Sequence, residues 1–343
     1  MKAKIIQKKD IASLLDRLIK EYELFAPVKR DGLILFEAIS SGNEAYLNYR
    51  SSKIPPKRIF FPQSEMLFSC SSAKDMTEMK VPPSLEKPLL VFGMHPCDAK
   101  GLMLLDKVFD GGCKDPYYIN RRANTTVVNI GCTIPRTSCF CTTVGGGPFL
   151  AEGSDLLFID IGDEYLVRII TDKGAQLLKD APEFSDAKED KLSGARQVIE
   201  AVENSMSNVL KVEGLKEKLD SMFDDPIWER VSEKCIDCGI CTFLCPTCHC
   251  FDMVDEAVDT NAARIRIWDS CQYPLFTLEA SGFNPRPTVK ERCRQRIMHK
   301  FSYYIDNHGQ RACVGCGRCI TECPVNWDIR QALTTISQHE IAK

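Results

Sequence analysis

Long apolar runs are missing from this 343-residue chain: nothing in it approaches the roughly 18 to 20 uninterrupted apolar residues of a membrane-spanning helix. Charge of one sign is missing as well, with 44 Lys plus Arg against 47 Asp plus Glu and a formal charge of -3. No chain-wide basic field exists to hold nucleic acid or anionic lipid, and neither partner is expected. The opening Met1-Lys2-Ala3-Lys4-Ile5-Ile6-Gln7-Lys8-Lys9-Asp10 lacks the apolar stretch of a secretory signal, so a cytoplasmic location is expected. Phosphate-cradling fingerprints are absent; Gly145-Gly146-Gly147-Pro148 matches neither G-x-G-x-x-G nor the P-loop. A flavin or nicotinamide site of the chain's own is therefore not expected. Without H-E-x-x-H or G-x-S-x-G, hydrolytic chemistry has no residues to run on.

What is abundant is cysteine, 18 residues. That is below the roughly 8 to 10% of a short secreted disulfide scaffold. In a reducing compartment such a number points to metal binding or redox chemistry. Six lie before residue 235 and twelve fall between Cys235 and Cys323. Within that span one pattern occurs twice, 78 residues apart: Cys235-Ile-Asp-Cys238-Gly-Ile-Cys241-Thr-Phe-Leu-Cys245-Pro246 and Cys313-Val-Gly-Cys316-Gly-Arg-Cys319-Ile-Thr-Glu-Cys323-Pro324.

A cubane cluster needs four converging thiolates, and C-x2-C-x2-C delivers three from one tight loop. In C-x2-C-x2-C-x3-C-P the fourth cysteine ligates the other cluster. Two [4Fe-4S] clusters are thus expected, one on Cys235, Cys238, Cys241 and Cys323, the other on Cys313, Cys316, Cys319 and Cys245. Gly239 and Gly317 let the backbone wrap closely around each site, and Pro246 and Pro324 end the short helices. The alternative is zinc, which also takes C-x2-C pairs, in a structural or docking protein without a redox role. Zinc knuckles do not call for the third cysteine or for the Cys-Pro.

Ten cysteines remain. Cys97, in His95-Pro96-Cys97-Asp98, and Cys132, Cys139 and Cys141 follow strand ends, where α/β sheets bind ligands. They are read as a third cluster, as four separate structural thiols, or as part of a catalytic pocket around Cys97. Cys248, Cys250 and Cys271 are either small buried hydrophobes near the clusters or an additional metal site. Cys70, Cys113 and Cys293 are isolated and read as packing residues. Arg286, Lys290, Arg292, Arg294, Arg296 and Lys300 crowd one segment and are read first as a solvated helix face, then as a docking surface for an acidic partner.

The expected fold class is an α/β (or α+β) N-terminal domain, residues 1–225, followed by an α-rich ferredoxin-like domain, residues 226–343, with an insertion at 251–312. Pro88 to Met94 reads as a buried strand followed by a helical pattern over Lys100 to Phe109, and Thr126 to Ile130 as another strand. Leu156 to Ile161 and Glu164 to Ile170 flank Gly162-Asp163 as a hairpin. Asp180 to Gly194 reads as a linker. Val198, Ile199, Val202, Met206, Val209 and Leu210 mark amphipathic helix within 195–222.

The stretch from Cys245-Pro-Thr-Cys248-His-Cys250-Phe251 through Arg264 to Arg266, Trp268-Asp-Ser-Cys271-Gln272 and Asn284-Pro-Arg286-Pro287-Thr288 to the second cysteine run resembles the iron-sulfur (β) subunit of soluble sulfhydrogenases. It is equally similar to the A subunit of anaerobic sulfite reductase. Ala26-Pro27-Val28-Lys29, Ile54-Pro55-Pro56-Lys57, His95-Pro-Cys97-Asp98 and Cys139-Phe-Cys141 extend the likeness to nearly the whole chain. The resemblance implies a subunit that passes electrons between a flavoprotein handling NAD(P)H and a second partner of hydrogenase, sulfite reductase or heterodisulfide-reductase type. It implies the same eight cluster ligands, and it matches Cys97, Cys132, Cys139 and Cys141 as well.

Overall fold

The computed structural model describes residues 3–73, 76–83, 85–206 and 210–340. Its larger sheet has eight strands: β1 (Ala3–Gln7), β2 (Glu23–Arg30), β3 (Leu33–Ala38), β6 (Leu89–Met94), β7 (Thr125–Ile130), β8 (Leu156–Asp160), β9 (Glu164–Ile169) and β10 (Ser185–Asp186). The order is β10-β1-β9-β8-β7-β6-β2-β3, parallel across β2, β6, β7 and β8 and antiparallel elsewhere. Every residue of β6 and of β7 is buried, as expected of parallel strands covered on both faces.

The second sheet joins β4 (Ser64–Ala73) and β5 (Met76–Lys80) to β11 (Phe251–Val258) and β12 (Asn261–Trp268) in the order β11-β12-β4-β5. All its pairings are antiparallel. Arg264 lies opposite Phe68, and a bulge follows between Arg264 and Ile265. Buried Arg266 pairs with Glu65 within this sheet and with Asp115, which caps the helix Pro116–Ala123 ahead of β7. A helical core holds the rest, packing Leu219, Trp228, Ile297, Phe301 and Leu333 together, with Phe140 and Val144 entering it from the earlier part of the chain.

The strand at Pro88 to Met94 and the hairpin are present within a residue, and Gly162 turns the hairpin at φ +109°. The helix expected from Lys100 begins earlier, at Pro96, because proline is suited to the first helical turn. The linker expected over Asp180 to Gly194 is shorter: Glu189–Ser205 is helical, with Glu189 and Asp190 in its first turn where carboxylates favour the helix N-terminus. A second helix spans Leu215–Ser221; Val209 lies outside the described residues. No helix is long and apolar enough to cross a membrane among the described residues.

Candidate metal centres

Each cysteine run wraps into a loop that ends in a single turn of helix, Ile240–Phe243 in the first and Arg318–Thr321 in the second. Gly239 and Gly317 precede these turns at φ +74° and +72°. A Cβ on Gly239 would sit 2.8 Å from the Tyr273 ring, and one on Gly317 would sit 2.5 Å from the Ser138 carbonyl oxygen. Both glycines are thus required by close approach as well as by backbone conformation.

The two runs interleave. Cys235, Cys238, Cys241 and Cys323 line one cavity, closed by Arg296 and Trp327. Cys245 has left its own run and acts electrostatically on all three of Cys313, Cys316 and Cys319. Each run therefore contributes three thiols to one set and its last to the other. Hydrogen bonds already reach the sulfurs: Trp327 N–H donates to Cys323 Sγ at 3.2 Å and Lys300 Nζ to Cys245 Sγ at 3.3 Å. Burial pushes Cys241 and Cys313 up to about 12 and Cys316 up to about 11, while Cys245 is held well below the usual thiol range, chiefly by the Cys248 thiol and by Lys300 and Arg296.

Cys97, Cys132, Cys139 and Cys141 come together as well, and line a cavity just past the carboxyl ends of β6 and β7. This loop is bound directly to the second cysteine run. Phe140 N–H donates to the Gly315 carbonyl at 2.8 Å, and Cys139 Sγ lies 3.8 Å from the Cys316 carbonyl oxygen. Gly315 has φ +64°, and a Cβ there would meet Cys141 N at 2.5 Å. Arg318 adds a fully buried fork, Nη1 and Nη2 donating to the two Asp98 carboxylate oxygens at 2.7 and 2.8 Å and Nε to Ser52 O at 3.0 Å. Sequence reasoning did not find this pair, since 220 residues separate its members.

The donor chemistry of these sets fits iron–sulfur clusters, which are held by four cysteine thiolates. Among the described residues no three donors converge on a point where a single ion would sit; the thiols of the first set and of the Cys97 set line cavities instead.

The basic segment differs from its expected solvated face. Arg292, Arg296 and Lys300, spaced by four, are 4, 3 and 2% exposed. They lie along the helix Val289–Met298 and the π-helical turn His299–Tyr303 that continues it. Their stripe faces thiols and half-buried Asp237, while Arg294 turns outward over the Phe223 ring. The spacing by four was the available signal. Cys293 is buried in the core, as a packing residue should be, whereas Cys113 is exposed. Cys70 is half-buried on β4.

Two interleaved thiol sets of this spacing define a two-cluster iron–sulfur protein, and residues 234–327 match the family model described as a 4Fe-4S dicluster domain. Over 311 residues the chain is 34% identical to sulfhydrogenase 2 subunit beta of Pyrococcus furiosus, covering 90% of each chain. It belongs to the sulfhydrogenase β-subunit family. No solved structure matches it.

Proposed function

We propose that the chain is an electron-transfer subunit of a cytoplasmic, anaerobic oxidoreductase complex. It relays electrons between a flavin and NAD(P)H subunit and a terminal subunit of hydrogenase, sulfite reductase or heterodisulfide-reductase type. The observation that carries this reading is the contact between thiol sets. Cys97 neighbours Cys316 of the second set, and Cys319 of that set lines the cavity of the first. Bound clusters would supply one-electron redox chemistry. The chain's own part is to hold three such groups in a row, Cys97, Cys132, Cys139 and Cys141 at one end, and to point N–H and ammonium donors at the sulfurs. The name of the Pyrococcus relative, a subunit of a sulfhydrogenase, supports a multi-subunit setting. In this reading residues 1–225 form the α/β domain and residues 226–343 the ferredoxin-like one.

Oxygen-free purification and metal analysis test the proposal. At least about twelve irons per chain are expected for three cubanes, with reduced-cluster signals in electron paramagnetic resonance. Zinc in place of iron overturns it. Cross-ligation has its own test: Cys245→Ser should perturb the cluster of the second run and Cys323→Ser that of the first. Spectra that pair each serine with its own run would contradict the interleaving. Subunits co-purifying from an anaerobic lysate identify the terminal partner.

A further inference from the structure

Three cations are buried beside thiols that the twelve proposed ligands leave over. Lys57, Arg296 and Lys300 are 3, 3 and 2% exposed. Among the described residues none of them forms an ion pair with a carboxylate. Lys300 Nζ donates to Cys245 Sγ, to Thr247 Oγ1 at 2.9 Å and to the Ala312 carbonyl at 2.8 Å. Arg296 Nη1 lies 3.6 Å from Cys248 Sγ, and its Nε has no hydrogen-bond partner. Lys57 Nζ donates to the Cys248 carbonyl at 2.7 Å and sits 4.2 Å from the Trp268 ring centroid. Buried charge is retained where an opposite charge meets it, and otherwise neutralises.

The second thiol set accounts for Lys300, which bonds Cys245. It accounts for Lys57 only in part, since the thiols that act on Lys57 are Cys248 first, then Cys245 of that set, and then Cys250. The β11–β12 hairpin explains why Cys250 meets Cys271. Phe251 opposes Trp268, and Asp269 N–H continues the ladder to the Cys250 carbonyl at 3.0 Å. Beyond that point the Cys250 and Cys271 thiols neighbour one another, and Cys248 neighbours both Cys250 and Cys245. Gln272 Nε2 lies 3.5 Å from Cys271 Sγ. Thus the three unassigned thiols, spread over 23 residues of sequence, lie in a row beside buried cations.

We propose that Cys248, Cys250 and Cys271 bind a further [4Fe-4S] cluster through three thiolates, with Lys57 and Arg296 beside them and no cysteine of this chain on the fourth iron. No cysteine is left for that position. Cys245 belongs to the second set, Cys293 packs in the helical core, Cys113 is exposed and Cys70 lies on β4 opposite Ala262. A cubane with three thiolates has one exchangeable iron, which separates this site from the other three. The inference rests on the iron–sulfur reading above.

The test uses the full chain purified without oxygen. Cys250→Ser and Cys271→Ser should each lose about four irons while the reduced-cluster signals of the dicluster stay. Mild oxidation of the unaltered protein should release one iron and give a [3Fe-4S] resonance that both variants lack. Unchanged iron in both variants, loss of zinc instead, or a Cys250–Cys271 disulfide in iron-replete protein overturns the site and leaves the electron-transfer reading standing. Absence of iron from the unaltered protein fails the parent reading. Should both serine variants lose every cluster, Lys57→Met decides, since it removes a charge and no ligand. One cluster's reduction potential should then move to a more negative value at unchanged iron content; no movement overturns the site.

Discussion

Arg318 and Asp98 join the second cysteine run to the first turn of the helix after β6, so two neighbouring stations of the proposed electron path share one buried ion pair. Removing one partner of such a pair leaves the other charged and desolvated, at about 3–5 kcal/mol. Asp98→Ala is expected to lower the stability of the iron-loaded protein by that amount, read from the midpoint of urea unfolding. Combining Asp98→Leu with Arg318→Met should recover much of the loss, because two apolar side chains carry no unpaired charge. If Asp98→Ala matches the unaltered protein, the pair is not structural. Arg296 and Lys300 teach a related point. A basic stripe usually faces water, and here it faces sulfur, because thiolates supply the negative charge that carboxylates supply elsewhere. Only the presence of unassigned cysteines in the same sequence hinted at that.

The elements that were legible beforehand are those specified by neighbours in sequence. Spacing in the cysteine runs states the ligand pattern, and Gly162-Asp163 states the hairpin, because each depends on a few adjacent residues. The contact of the Ser138–Cys141 loop with Gly315 could not be read that way, since it joins segments more than 170 residues apart. The grouping of Cys97 with Cys132, Cys139 and Cys141 could, from their shared place beyond parallel strand ends. Gly315 is the point where the two loops touch, and Gly315→Ala tests that contact. Positive φ costs an alanine roughly 1–2 kcal/mol, and the Cβ also strikes backbone at Cys141. The expected result is loss of iron from the Cys97 set with the dicluster spectrum kept. Retention of full iron content would show that the loop contact is dispensable.

Across the whole molecule, burial holds many thiols protonated when no iron is bound. Cys132 and Cys316 are pushed up to about 11, and Cys141, Cys241 and Cys313 up to about 12, in each case chiefly by desolvation. An unfolded thiol ionises near 8.5. The folded values are raised, so their contribution to stability is complete below that pH and is lost as pH climbs toward 12. The iron-free, reduced chain should therefore lose stability steeply above about pH 9, measured by urea unfolding at stepped pH. The iron-loaded protein should be far less sensitive, since its ligands are already deprotonated. Equal pH profiles for both forms would contradict the burial of these thiols.

The four-stranded sheet carries a consequence for how the chain is made. β4 waits for β12, its central partner, whose residues are synthesised nearly 200 positions later. At roughly 5–20 residues per second the nascent chain presents one edge of that strand unpaired for on the order of ten seconds or longer. During this interval Cys245 also lacks the loop at Cys313 that it completes. Iron delivered before Cys313 to Cys323 are synthesised would meet half-built sites, and a chain cut at residue 225 would keep its waiting edge permanently.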